Sequence, residues 1–183
     1  MISRKQRVPF ADTSKFSAEF PELEHYKIKG KVPNLFATMM NHPRLFKAWG
    51  GLGRSILSED QSLAPRDRES AILRIGWLNQ AQYEWEQHSG IGRAIGLSED
   101  DIERIKTGPK AGWGRHDAAL VQAADDLFDN SVVSEATWHT LSERYNTQQM
   151  MDLVFTIGAY NLVSWTLNSL GVPLDDYLPG AKK

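Results

Sequence analysis

Apolar positions along the chain recur with helical spacing, and no stretch of useful length alternates in the manner of a strand. Residues 1–32 read as an irregular arm with some helix, punctuated by Pro9, Pro21 and Gly30, with Pro33 at its end. A short helix is expected over Asn34–Asn41, stopped by Pro43. Pro43–Ser58 follows, with Leu45, Phe46, Trp49, Leu52 and Ile56 at helical spacing. Pro65 opens a helix to Leu78, and Ala81–Ile95 forms another that ends at Gly96. Ser98 with Glu99, Asp100 and Asp101 is an N-terminal cap followed by acids in the first turn. That short helix ends at Gly108. Three more are expected near Asp117–Phe128, Ser134–Tyr145 and Thr147–Leu170. The fold class is all-α, a single-domain helical bundle with an N-terminal arm.

Two helices carry ionisable groups on their apolar sides. At about 100° per residue, Ala81, Trp85, Ile91, Gly92 and Ile95 form one stripe. His88 falls at its centre and Glu84 near its edge, while Gln82, Glu86, Ser89 and Arg93 gather toward water. In Pro65–Leu78, Glu69 sits among Ile72, Leu73 and Gly76, and Asp67, Ser70 and Arg74 face elsewhere. Burying such groups costs several kcal/mol (roughly 3–5 if a partner is lost) unless they are paired. Glu69, Glu84 and His88 can satisfy one another. The plain alternatives are a surface Glu84–His88 pair four residues apart and a Glu69 bridge to Arg66, Arg68 or Arg74.

Composition narrows the chemistry. The 183 residues are 41% hydrophobic, enough for one sizeable core, with net charge −2 and pI about 6.2. No basic stripe points to nucleic acid. The basic start at Arg4, Lys5 and Arg7 has no apolar run after it and does not read as a signal peptide. The cytoplasm is the expected compartment. Cysteine is absent, which removes disulfides, thiolate metal ligands and thiol catalysis together. Met150–Leu170 is apolar but holds Asp152, Thr156, Asn161, Ser164 and Asn168, so a core or subunit-interface helix is expected rather than a membrane span. Gly50-Gly51-x-Gly53 lacks the strand and Lys-Ser/Thr of a phosphate loop, and there is no serine nucleophile elbow. His25, His42, His116 and His139 read as caps, turns, surface or, for His139, packing.

RDRESAILRIGWLNQAQYEWEQHSGIGRAIGLSEDDI, residues 66–102, resembles the core of the carboxymuconolactone decarboxylase and alkylhydroperoxidase-D-like superfamily. FTIGAYNLVSWTLNSLGVPLDD, residues 155–176, is similar to the closing helix of that family, and the resemblance spans roughly 33–176. It implies a helical domain over 33–176, with the arm 1–32 before it and a tail over 177–183. The peroxidase branch has a Glu and then Cys-x-x-Cys-x-x-x-His. Here the Glu matches Glu69, the cysteines fall on Ala81 and Glu84, and the histidine is His88, with Tyr83 between the cysteine positions. Thiol peroxidase chemistry is therefore rejected.

Glu-x-x-x-His in this place resembles the decarboxylase-type branch. It implies a cofactor-free acid/base enzyme for a small cyclic acid or lactone, by decarboxylation or isomerisation, with Glu69, Glu84 and His88 catalytic. His88 would move the proton while Glu69 or Glu84 orients or charges it. Tyr83 and Trp85 are candidates to stack on a substrate ring, although helix aromatics more often serve as plain core. The resemblance implies a homo-oligomer, a trimer or hexamer. Two readings stay open: a metal site on Glu69, Glu84 and His88, and a non-catalytic helical oligomer or ligand-binding protein. No cofactor, metal, membrane or nucleic acid is expected in the leading reading.

Overall fold

The computed structural model describes residues 5–16, 20 and 27–181. His25 lies outside the described residues. Among these the chain forms eight α-helices and no strand, after a single 3-10 turn at Thr13–Phe16. The helices are α1 (Asn34–Met39), α2 (Pro43–Leu57), α3 (Pro65–Leu78) and α4 (Gln82–Ala94). They continue as α5 (Glu99–Thr107), α6 (Arg115–Asn130), α7 (Glu135–Ser142) and α8 (Thr147–Leu170).

Their boundaries follow local chemistry. Ser98 and Asp101 close a capping box on α5, and Asn146 and Gln149 close one on α8, each satisfying backbone N–H groups that a helix start leaves free. His42 caps α2 by accepting from the Leu45 N–H. Ser134 caps α7. At the far end of α8, Gly171 turns left-handed at φ +66°, so that the Val172 N–H reaches the Leu167 carbonyl at 3.0 Å. The N-terminal arm crosses this corner, with the Arg7 N–H donating to the Leu170 carbonyl at 2.9 Å. A side chain at 171 would strike the Lys5 carbonyl, so the glycine serves both the turn and the crossing.

Helix α3 is the hub, packed against α4, α5, α6 and α8. Every residue from Glu69 to Gly76 is buried. Ser70 and Arg74, which lie off the apolar stripe, are therefore buried as well. With neighbours on all sides, α3 has no solvent face along these two turns. Ser70 donates to the Arg66 carbonyl, and Arg74 is ion-paired inside the protein. Ser89 on α4, expected to face water, is also buried, and Ile95 is half out at 38%.

The main core joins Ile72 and Ile75 of α3 to Leu120 of α6, Leu141 of α7, and Leu153 and Ile157 of α8. A second cluster gathers Phe20, Met39, Met40 and Phe46 beneath Phe36 and Trp49. A third places Trp85 with Leu73, Leu97, Ile102 and Ile105.

Helix α8 has two apolar faces. Leu153, Ile157, Tyr160, Ser164 and Leu167 point into the core, while Met151, Phe155, Leu162 and Trp165 are each about half exposed on the opposite side. No helix among the described residues is long and apolar enough to cross a membrane.

Candidate active site

Helices α3 and α4 form a hairpin through Asn79, Gln80 and Ala81. The turn is fastened to α8: Asn79 Nδ2 donates to Asn161 Oδ1 at 2.7 Å, and Asn168 Nδ2 donates to the Asn79 carbonyl at 2.9 Å. This antiparallel return lays the start of α3 beside the end of α4. Glu69 and His88, nineteen residues apart in sequence, thereby meet at 2.7 Å between Oε2 and Nδ1. Glu69 is fully buried and His88 is 7% exposed. A carboxylate can only accept, so Nδ1–H donates and Nε2 is left as the nitrogen that can take or give a proton. Arg68 approaches the other oxygen, with Nε 3.5 Å from Oε1.

Glu84 lies one turn before His88 on α4, yet it turns toward α8. Its Oε2 accepts from Ser164 Oγ at 2.7 Å. Its Oε1 is buried without a partner. That oxygen rests against the bare backbone of Gly76, where an added Cβ would stand 2.6 Å away. Burial pushes the Glu84 carboxyl well above the usual range; the Ser164 hydrogen bond opposes this, and the Glu69 charge adds to it. Tyr160, four residues before Ser164 on the same face of α8, packs edge-on against the His88 ring at 4.8 Å. Burial raises its phenol well above the ordinary value, and both Glu69 and Glu84 raise it further.

The structure thus joins Glu69 to His88 directly and sets Glu84 nearby on separate hydrogen bonding. Tyr83 and Trp85, the expected ring-stacking residues, are placed elsewhere in the packing. The Tyr83 hydroxyl donates to Asp175 Oδ2 at 2.5 Å, and Asp175 also accepts from the Asn34 N–H, which ties the chain after α8 to α1 and α4. Trp85 is 6% exposed, packs edge-on against Trp77 at 5.1 Å, and lies under the Lys106 ammonium at 5.3 Å. Neither side chain hydrogen-bonds to Glu69, Glu84 or His88.

Sequence reasoning did not single out Tyr160, and gave Ser164 and Gly76 no part in the site; Arg68 was one of three arginines offered as a bridge to Glu69, and it is the one the structure places there. The signal for Tyr160 and Ser164 was present: Thr156, Tyr160 and Ser164 recur every four residues inside an otherwise apolar helix. Two other histidines need correction. His116 is buried at 7% against the Tyr145 ring rather than at the surface, and the side chain of His139 is 79% exposed beside Glu143 rather than packed. The metal alternative does not fit the donors. Glu84 is turned to Ser164, and no three His, Asp or Glu groups among the described residues gather as a ligand set.

A hub helix paired with a hairpin partner, carrying a buried Glu–His pair and no sulfur, defines a helical fold of the alkylhydroperoxidase type without its thiols. Residues 43–126 match the Carboxymuconolactone decarboxylase family, and the chain, which has no cysteine, is similar to that family without the Cys-x-x-Cys pair.

Solved structures of the same fold include an alkylhydroperoxidase AhpD core, an uncharacterized peroxidase-related protein from Ralstonia eutropha JMP134. It is 21% identical, with TM-score 0.82, covering 96% of this chain and 95% of that one. A peroxidase-related protein from Silicibacter sp. TM1040 is 15% identical, with TM-score 0.80, covering 99% and 98%. A cysteine-to-alanine variant of the debrominase Bmp8, in complex with 2,3,4-tribromopyrrole, is 18% identical, with TM-score 0.73, covering 96% and 95%. No protein of curated function matches the chain.

Proposed function

We propose that the protein is a cysteine-independent, cofactor-free acid/base enzyme acting on a small cyclic carboxylic acid or lactone, by decarboxylation or isomerisation. The observation that carries this reading is the buried Glu69–His88 hydrogen bond of 2.7 Å. Glu69 fixes the ring and stabilises the imidazolium, and His88 Nε2 exchanges the proton with substrate. Arg68 supplies a cation beside the pair; Arg66 is taken by Asp117 and Arg74 by Asp125. The Bmp8 complex supports the substrate class, because a protein of this fold with a cysteine removed holds a small aromatic ring. Such an activity belongs to cytoplasmic breakdown of aromatic-derived compounds.

The exposed face of α8, with Met151, Phe155, Leu162 and Trp165 half open, is covered by further copies of the chain in a trimer or hexamer. Light scattering should give a multiple of 20.7 kDa at micromolar concentration, and a monomer would refute the assembly.

The activity test is a screen of small ring acids and lactones, with chelator present, against wild type, His88→Ala and His88→Gln. The reading expects turnover by wild type alone. A wild-type rate left intact in both variants would eliminate it. Absence of turnover on every ring acid and lactone would leave a non-catalytic protein, and loss to chelator alone would mean a metal.

A further inference from the structure

Glu69 and Glu84 stand in opposite surroundings within one site. Glu69 has two positively charged or hydrogen-donating neighbours, His88 at 2.7 Å and Arg68 at 3.5 Å. Glu84 has a single neutral partner, the Ser164 hydroxyl, and one orphan oxygen against Gly76. The titratable groups facing it are Glu69 from α3 and Tyr160 from α8, with His88 one turn along its own helix. None of the ion pairs among the described residues includes Glu84, and Arg68 is engaged with Glu69. An ionised carboxylate here would hold a full charge with one hydrogen bond, no cation and a like charge nearby. The neutral acid leaves only a carbonyl or hydroxyl short of a partner, a far smaller penalty. Gly76 is what admits the group, since any side chain at 76 would occupy the space of Oε1.

We infer that Glu84 is the proton donor of this site: a carboxyl kept in its neutral acid form between Gly76 and Ser164, opposite in state to the Glu69 carboxylate that holds His88. The inference rests on the acid/base reading above and assigns its two halves. In an isomerisation, His88 Nε2 takes one substrate proton while Glu84 gives one to the neighbouring carbon or ring oxygen. Glu84 is left as a carboxylate and His88 as an imidazolium, and water returns one proton and removes the other. In a decarboxylation, carbon dioxide leaves and the electron pair left on carbon takes the Glu84 proton, which solvent then replaces. Gly76 and Ser164 are positioning residues for this donor.

The state of Glu84 is read without any substrate. Infrared difference spectra of the intact protein at neutral pH, wild type minus Glu84→Gln, should show a protonated-carboxyl C=O band that shifts in D2O. Ser164→Ala should move that band, because its hydrogen-bond partner is gone. A difference spectrum holding only carboxylate bands overturns the proposal, as does a C=O band indifferent to Ser164→Ala.

The donor role is then read on any ring acid that wild type turns over and His88→Gln does not. Glu84→Gln should lose a factor on the order of 10²–10⁴, and its residual rate should lack the fall at high pH that ionisation of the donor imposes. A full rate in Glu84→Gln overturns the donor while the Glu69–His88 pair stands. No turnover on any ring acid, with the C=O band present, overturns the donor role together with the acid/base reading itself.

Discussion

Helix α3 carries two buried charged clusters five residues apart, and they are built on different principles. At Arg74 every nitrogen has a partner. Nε and Nη2 form a two-pronged pair with Asp125 at 2.5 and 2.8 Å, and Nη1 donates to the carbonyls of Ile105 and Lys106 at 2.9 Å each. This cluster ties α3 to α6 and to the end of α5. At Glu69 the demands are met unevenly: one carboxyl has His88 and Arg68, while its neighbour Glu84 has Ser164 and an orphan oxygen. A buried ion pair with all its hydrogen bonds satisfied is structural chemistry. A buried acid left short of partners beside a histidine is the arrangement that active sites use to hold protons in unusual states. Buried charged groups on and beside one helix are thus told apart by how completely they are satisfied.

The largest effects should separate the clusters by readout. His88→Gln keeps a donor for Glu69 but cannot relay a proton, so turnover should fall by a factor on the order of 10²–10⁴ with the fold intact. His88→Ala should lose the same activity. An alanine suits the apolar stripe of α4, yet it leaves Glu69 fully buried with only Arg68 at 3.5 Å. A loss of about 1–3 kcal/mol is therefore expected in denaturant melts of His88→Ala and not of His88→Gln. Arg74→Leu should do the reverse. It strands Asp125, should cost about 3–5 kcal/mol, and should alter turnover only through the fraction folded. If Arg74→Leu instead killed activity at full stability, the division between the clusters would collapse.

Much of this division was legible in the chain. The helices expected over Pro65–Leu78 and Thr147–Leu170 fall on those residues, and Glu69 and His88 stood out as charges on apolar stripes. What a helical projection cannot give is the number of neighbours. Arg74 lay off the stripe of α3, yet α3 is wrapped on all sides, so the off-stripe positions are buried as well. Glu84 and His88 share a helix side, but one turn of α4 is enough to change the hydrogen-bond partner from Ser164 of α8 to Glu69 of α3. Tyr83 illustrates a different gap. Its buried hydroxyl needs an acceptor, and the acceptor is Asp175, ninety-two residues away, which no local pattern announces.

A smaller effect probes the satisfied cluster from its edge. Gly108 holds φ +102°, and an added Cβ would lie 2.8 Å from Arg74 Nη2. Gly108→Ala therefore strains the backbone and presses on the guanidinium at once, for an expected loss of about 1–3 kcal/mol in thermal or denaturant melts. Turnover per folded molecule should not change. The matching Gly76→Ala presses on Glu84 Oε1 instead and should lower turnover as well as stability.

The finest distinction between the clusters lies in how stability depends on pH. A carboxyl whose folded-state pKa is raised binds its proton more tightly in the native protein than in the unfolded chain. Below the unfolded value, about 4.3 for Glu, both states are protonated and the contribution is fully present. As pH rises above that value the unfolded chain releases the proton and the native state does not. Stability then declines by up to about 1.4 kcal/mol per pH unit until the folded pKa is reached. Burial gives Glu84 this sign, with the Ser164 bond opposing and Glu69 adding. Glu84→Gln keeps the shape, never titrates, and removes the decline. Unfolding free energies of the two proteins, measured from pH 4 to 8, should therefore converge and then cross toward the variant as pH rises. In Tm, each pH unit is worth up to roughly 3–6 °C for a chain of this size. Because solvated surface groups are common to both proteins, the difference isolates Glu84. A difference that stays flat, or that moves toward wild type with rising pH, would mean an ionised Glu84. The Glu69 cluster would then be no less settled in charge than the one at Arg74.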